Sequence, residues 1–176
     1  RPEYLKEARE NLEAGKISDA GFKEIEDRAV DEAVALQEAA GLDVITDGEQ
    51  RRYSFYGHLI DSVEGFDKFG GWEIKFKYDG GGERALKRPL VVSRLKRRRH
   101  LCAEDFTYLR ARGNGPDMTC GLQATIISAQ PASAFFDAEK SKGAYPSLDA
   151  YLADVVDILR DEVKELIRLG SRDIQI

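Results

Sequence analysis

One unit, a helix stopped by glycine and followed at once by a strand, occurs twice in this chain and constrains its fold more than any other feature. Residues 18–40 carry Phe22, Ile25, Ala29, Ala33, Leu36 and Ala40 at spacings of three and four, the period of a helix with one apolar face. Ser18 or Asp19 can cap its start by accepting a bond from a free backbone N–H. Gly41 ends it, because glycine tolerates the left-handed conformation that closes helices. Residues 42–46, LDVIT, then read as a short buried strand. Near the other end Pro146 and Ser147 open a helix over 147–169, with Leu148, Leu152, Val155, Leu159, Val163 and Leu166 on its apolar face. Gly170 stops it, and a strand begins at 173–176. A third helix, 102–112, leads through the Gly-Asn-Gly-Pro turn at 113–116 to a candidate strand at 117–120. Helices alternating with strands in this way predict an α/β fold with a parallel sheet.

One segment departs from that rhythm. Trp72, Ile74, Phe76 and Tyr78 alternate with polar residues, which is the period of a strand. Gly80-Gly81-Gly82 can turn the chain and residues 89–95 can return it. The pattern predicts a β-hairpin over 66–97, inserted after the strand at 42–46, on the face where βα folds carry their active sites. No linker rich in Ser or Pro divides the 176 residues, which are read as a single domain.

Composition enters mainly by exclusion. No run of about 18 apolar residues predicts a membrane span, and the charged start RPEYLKEARENL is no signal peptide. A net charge of −5 argues against a dedicated nucleic-acid partner. Cys102 and Cys120 form neither a disulfide framework nor a metal-binding pair, which suits a reducing, cytoplasmic setting. Neither His58 nor His100 has a partner at metal-ligand spacing, so no metal is expected on these residues. The basic run Arg94–His100 reads as a charged hairpin edge or a subunit contact rather than a polyanion site. A homo-oligomer is compatible with it. Cys120 reads as a small buried strand residue.

The chemistry concentrates where the first strand ends. In parallel α/β folds ligands bind at the C-terminal ends of strands, and here that end is Thr46-Asp47-Gly48-Glu49, followed by Arg51, Arg52, Tyr53, Phe55 and Tyr56. Glu49 can bind a substrate ammonium or act as a general base. Gly48 allows a sharp turn. Arg51 and Arg52 can hold carboxylates or phosphates in fork geometry. Glu49, Asp47, Arg51, Arg52 and Tyr53 are the candidate substrate-binding residues. The bland alternative has Asp47 capping a helix, the arginines solvated and the aromatics in the core. A second strand end is expected at Cys120-Gly121-Leu122-Gln123.

The run AVDEAVALQEAAGLDVITDGEQRR, residues 29–52, resembles the cobalamin-independent methionine synthase family, in its catalytic-barrel and shorter stand-alone members. The family belongs to a superfamily with uroporphyrinogen decarboxylase. The shared features are a helix with a Gln near its end, then Gly-Leu-Asp, a strand, and Asp-Gly-Glu followed by arginine. The run DEVKELIRLGSRDIQI, residues 161–176, resembles the family's helix before a strand that continues into Asp-Glu-Pro, and RPEYL resembles the family's segment just after its first strand. After the third strand the family has a Pro-Gly-Pro-like turn where this chain has Cys120-Gly121-Leu122. The resemblance implies a (β/α)₈ TIM barrel, present here as an incomplete N-terminal part, and a chain that is a segment of a longer polypeptide.

It further implies a zinc-dependent methyltransferase that moves a methyl group from a methylated folate to a thiol such as homocysteine. Zinc binds that thiol as the thiolate. The zinc ligands, His, Cys, Glu and Cys, lie on later strands, outside this segment. Glu49 matches the glutamate that holds the amino group of the amino-acid substrate. The implied partners are a small-molecule thiol and a methyl donor, with no nucleic acid and no membrane. Two alternatives stand beside this: an alkyl–thiol transferase or lyase using another thiol such as coenzyme M, and a non-catalytic half-barrel.

Overall fold

A computed structural model of the chain describes residues 1–77, 82–112 and 121–176. The contacts divide these into two compact units. The first comprises Arg1–Tyr53, Cys102–Thr125 and Leu166–Gln175; the second comprises Ser54–Leu101, Ile126–Glu165 and Ile176.

The first unit opens with helix α1 (Glu3–Glu13) and helix α2 (Asp19–Ala39). Ser18 caps α2, its Oγ accepting the Gly21 N–H at 3.1 Å. A short strand, β1 (Val44–Ile45), follows. Gly41, at φ 70°, closes α2: its N–H reaches the Glu38 carbonyl at 2.9 Å and the Leu42 N–H reaches Gln37 at 3.2 Å. That pair of bonds satisfies carbonyls that no further helical turn would reach. Gly170, at φ 90°, closes the last long helix with the same two bonds, Gly170 to Ile167 and Ser171 to Leu166, both at 2.9 Å.

The buried face of α2 is split between two clusters. Phe22 and Ala29 pack with Leu5 and Ala8 of α1. Val30 and Val34 pack with Ile45 and Leu109. Leu36, expected on the apolar face, is 72% exposed, and Ala40 is exposed as well. The stripe has moved to Val30 and Val34, which are the residues of α2 that meet Ile45 of β1 and Leu109.

The second unit follows in sequence with helix α3 (Gly57–Ser62), strands β2 (Val63–Asp67), β3 (Glu73–Lys77), β4 (Glu83–Lys87) and β5 (Leu90–Arg97). β2 pairs antiparallel with β5, and β3 with β4. The antiparallel segment therefore starts at Val63, three residues before the expected 66, because α3 runs into β2 without a loop. Tyr78 and two of the three expected turn glycines, Gly80 and Gly81, lie outside the described residues.

Helix α4 (Ala103–Arg112) and strand β6 (Gly121–Thr125) belong to the first unit. The second unit adds the short helix α5 (Ala129–Ala132) and most of helix α6 (Leu148–Arg168). Strand β7 (Asp173–Gln175) completes the first unit's sheet. That sheet is parallel, in the order β1-β6-β7, with Val44 opposite Gly121 and Thr125 opposite Gln175. The expected strand at 117–120 and Cys120 lie outside the described residues. The described middle strand occupies 121–125, so the run Gly121-Leu122-Gln123 is strand and not the turn beyond one.

The core of the second unit joins Tyr56, Leu59 and Val63 to Val91, Phe135, Tyr145, Tyr151, Val155 and Leu159. On α6 the buried stripe is Tyr151, Val155, Leu159, Glu162 and Leu166. Glu162 is wholly buried and accepts the Leu101 N–H at 2.8 Å, with His100 Nδ1 at 2.9 Å. Among the described residues no helix is long and apolar enough to cross a membrane.

Candidate functional site at the end of β1

Beyond Ile45 the chain leaves the sheet, and a side chain takes over the role of a neighbouring strand. The Gln37 amide, near the end of α2, accepts the Thr46 N–H through Oε1 at 3.0 Å and donates Nε2 to the Thr46 carbonyl at 2.9 Å. Buried backbone groups must be paired, and this pairing holds the strand end in place. Asp47 comes next. It is 6% exposed, and its Oδ1 accepts the Glu49 N–H at 3.0 Å, so it turns the loop locally and caps no helix. Gly48 at φ 64° and Glu49 at φ 52° both adopt the left-handed conformation. A glutamate there is held against its own preference by about 1–2 kcal/mol. Such a residue is kept in place by its surroundings, and those surroundings are visible.

Arg52, 4% exposed, is the centre of the arrangement. Its Nη1 donates to Glu49 Oε1 at 2.8 Å and to Thr125 Oγ1 at 2.9 Å, and its Nη2 donates to the Thr125 carbonyl at 2.6 Å. The Thr125 hydroxyl in turn donates to Glu49 Oε1 at 3.0 Å. The C-terminal ends of β1 and β6 are thereby tied together through one carboxylate oxygen. Among the described residues no hydrogen bond ends on Glu49 Oε2, and the Glu49 side chain remains 35% exposed. The Glu49 carbonyl accepts Arg1 Nη2 at 3.0 Å. The result is a carboxylate with one oxygen fixed from within and the other open to a donor from outside.

Behind this cluster lies a cavity of about 10 Å³ lined by residues that include Asp47, Arg52, Cys102, Asp105 and Thr125. That volume accommodates about one water molecule and no organic substrate. Asp47 Oδ2 and Arg52 Nε, both buried, have no hydrogen-bond partner among the described residues.

The remaining candidates divide. Arg51 points toward α2 and α4: Nη1 lies 2.6 Å from Asp27, Nε lies 3.6 Å from Asp105, and the guanidinium sits 4.4 Å over the Tyr108 ring. Burial pushes the Asp27 carboxyl upward, but bonds from Lys23 and Arg51 outweigh it and hold the pKa below its ordinary value. Tyr53 is 41% exposed. Phe55 is exposed, whereas Tyr56 is buried in the second unit's core, edge-on to Phe135 at 5.1 Å. His58, on α3, is buried too, and its Nε2 accepts the Ile127 N–H at 3.2 Å.

The basic run is occupied within its own unit. Arg94 pairs with Asp154 at 3.2 Å, Arg97 lies 3.9 Å from Asp161, and Arg98 donates to the Asp61 carbonyl at 3.1 Å. Among the described residues no three His, Cys, Asp or Glu side chains come together in a way that could hold a metal.

Nothing in the spacing around the Asp-Gly-Glu run points to Thr125. Expecting a strand at 117–120 set the strand end near Gln123, two residues early. The β-branched run Thr125-Ile126-Ile127 was the available signal, since such residues favour extended structure.

The family described as the catalytic domain of cobalamin-independent synthase matches residues 2–176. The methionine synthase of Sulfurisphaera tokodaii is 29% identical over all of this chain and 48% of its own length. That of Saccharolobus solfataricus is 26% identical over all of this chain and 49% of its own. The chain spans about half the length of these curated relatives. Two solved structures are similar in fold. A B12-independent methionine synthase from a Shewanella species, in complex with selenomethionine, gives a TM-score of 0.68 at 23% identity, over 90% of this chain and 43% of that one. A candidate vitamin-B12-independent methionine synthase from Listeria monocytogenes gives 0.73 at 21% identity, over all of this chain and 48% of that one. The match along nearly its whole length makes this chain a member of the cobalamin-independent synthase family, in the catalytic domain.

Proposed function

We propose that this chain is part of a methyltransferase of the cobalamin-independent methionine synthase type, which moves a methyl group from a methylated folate to a thiol such as homocysteine. The observation that carries the reading is the Glu49 carboxylate, fixed through Oε1 at a parallel strand end and open at Oε2. An ammonium group is the natural donor to such an oxygen, and the charge-assisted bond is among the stronger ones available. The selenomethionine in the Shewanella structure is an α-amino acid, which suits an amino-acid subsite in the family. In this reading Glu49 binds the substrate ammonium and Asp47 shapes the loop. Arg52 holds the carboxylate, and Arg51 fixes the loop's far side against α2 and α4. Tyr53 is assigned a place on the rim.

The reaction needs a thiolate and an activated methyl group. The described residues do not form a zinc site, so no chemical step is assigned to them; what they supply is binding and orientation of the amino acid. The parallel sheet β1-β6-β7 is read as part of a (β/α)₈ barrel in one domain, with Val63–Arg97 inserted beyond β1. A cytoplasmic setting follows from the same reading.

Glu49→Gln in the full-length enzyme tests it. Loss of a charge-assisted bond is worth about 1.5–3 kcal/mol, so kcat/KM for homocysteine should fall roughly ten- to a hundredfold. Unchanged kinetics with a lowered melting temperature would make Glu49 a structural residue.

A further inference from the structure

We propose that Thr125 is a positioning residue for Glu49, acting through its hydroxyl to aim the carboxylate at an ammonium group; the proposal rests on the ammonium-binding reading above. Three observations carry it. Thr125 is the last residue of β6, so its Cα is set by the sheet and not by the loop it contacts. Its hydroxyl uses both of its capacities within the cluster, donating to Glu49 Oε1 at 3.0 Å and accepting from Arg52 Nη1 at 2.9 Å. Its carbonyl takes the other arm of the same guanidinium at 2.6 Å, which orients Arg52 independently of Glu49.

Glu49 sits in a left-handed backbone conformation and lies on a loop. A carboxylate in that position needs an external reference to keep one rotamer. Arg52 alone is a poor reference, because it lies three residues away on the same loop and would move with it. Thr125 ties both side chains to the sheet. Oε1 is then fully engaged and only Oε2 is presented outward. The hydroxyl thus determines the direction of the open oxygen, while the charge that attracts the ligand stays on Glu49.

Thr125→Val removes the hydroxyl, keeps the β-branched shape and leaves the Arg52–Glu49 pair in being. Thr125→Ser keeps the hydroxyl. In the full-length enzyme, KM for L-homocysteine should rise about three- to tenfold in Thr125→Val, the size of one lost hydrogen bond, with kcat unchanged, and Thr125→Ser should restore it. The des-amino analogue 4-mercaptobutanoate has no ammonium, so its KM should be the same in wild type and Thr125→Val. Should valine impair folding, Thr125→Ala carries the same expectation.

An equal effect of Thr125→Val on both thiols, or failure of serine to restore KM, would overturn the positioning role. Glu49→Gln separates the two levels. If it spares the preference for homocysteine over the analogue, the ammonium reading itself fails. If it abolishes that preference while Thr125→Val leaves it intact, only the role of Thr125 fails.

Discussion

Glu49 and its neighbour Gly48 show how much a single strand end demands of individual residues. Both have positive φ, but only Gly48 is free of the steric cost. A Cβ at Gly48 would lie 3.2 Å from the Ala33 Cβ and 3.0 Å from Gln50 Nε2. Gly48→Ala therefore adds left-handed strain to a tight contact with α2. A loss of about 1–2 kcal/mol is expected from the backbone alone, read as a lower urea midpoint with an unchanged slope. The Asp-Gly-Glu order was legible in the sequence as a turn with carboxylates. That Glu49 would share the strain was not, because glutamate has no preference for that conformation and adopts it only under the hold of Arg52 and Thr125. Arg51 and Arg52 are adjacent and chemically identical, yet one joins α2 and α4 and the other the strand ends. Spacing along an irregular loop cannot separate them.

At the scale of elements, side chains repeatedly stand in for backbone partners. Gln37 does so for β1. In the second unit Tyr145 does so for β5: its hydroxyl accepts the Leu95 N–H at 2.8 Å and donates to Asp154 Oδ2 at 2.7 Å. Burial first, with the bond to Asp154 adding to it, pushes the Tyr145 hydroxyl up to about 12. The folded state keeps that proton longer than the unfolded chain, so this contribution is complete below about pH 10 and is lost as pH rises toward 12. Tyr145→Phe should cost about 1–3 kcal/mol by leaving the Leu95 N–H without its acceptor. The drop should appear in the denaturation midpoint at neutral pH, and one tyrosine that ionises only toward pH 12 should vanish from the alkaline absorbance titration. Helix ends, by contrast, were readable in advance: Gly41 and Gly170 close their helices with identical bonds because no residue with a side chain does so as cheaply.

On the scale of the whole molecule, stability at low pH depends on carboxylates whose partners come from both near and distant parts of the chain. Asp27 is the clearest, held below its ordinary pKa by Lys23 and Arg51 against the effect of burial. Its contribution is therefore present above about pH 4 and disappears as pH falls through the lowered value. Asp27→Asn should lower the melting temperature at pH 7 and have a much smaller effect at pH 3, checked by calorimetry at both. Glu26, raised by burial that Arg9 only partly offsets, works in the opposite direction, its contribution fading as pH rises through its elevated value. The sequence by itself determined the helix–glycine–strand units, the parallel class of the sheet, the antiparallel character of the segment after β1 and the carboxylates at the strand end, because periodicity, capping and turn chemistry act over a few residues. It did not determine the extent of β6, the exposure of Leu36, the burial of Glu162 and His58, or the separate duties of Arg51 and Arg52. Those depend on which surfaces meet. Only the tertiary structure brings Thr125 within 3.0 Å of Glu49 across 76 positions of chain, since a hydrogen bond between two strand ends is set by the register of the sheet and by no local pattern.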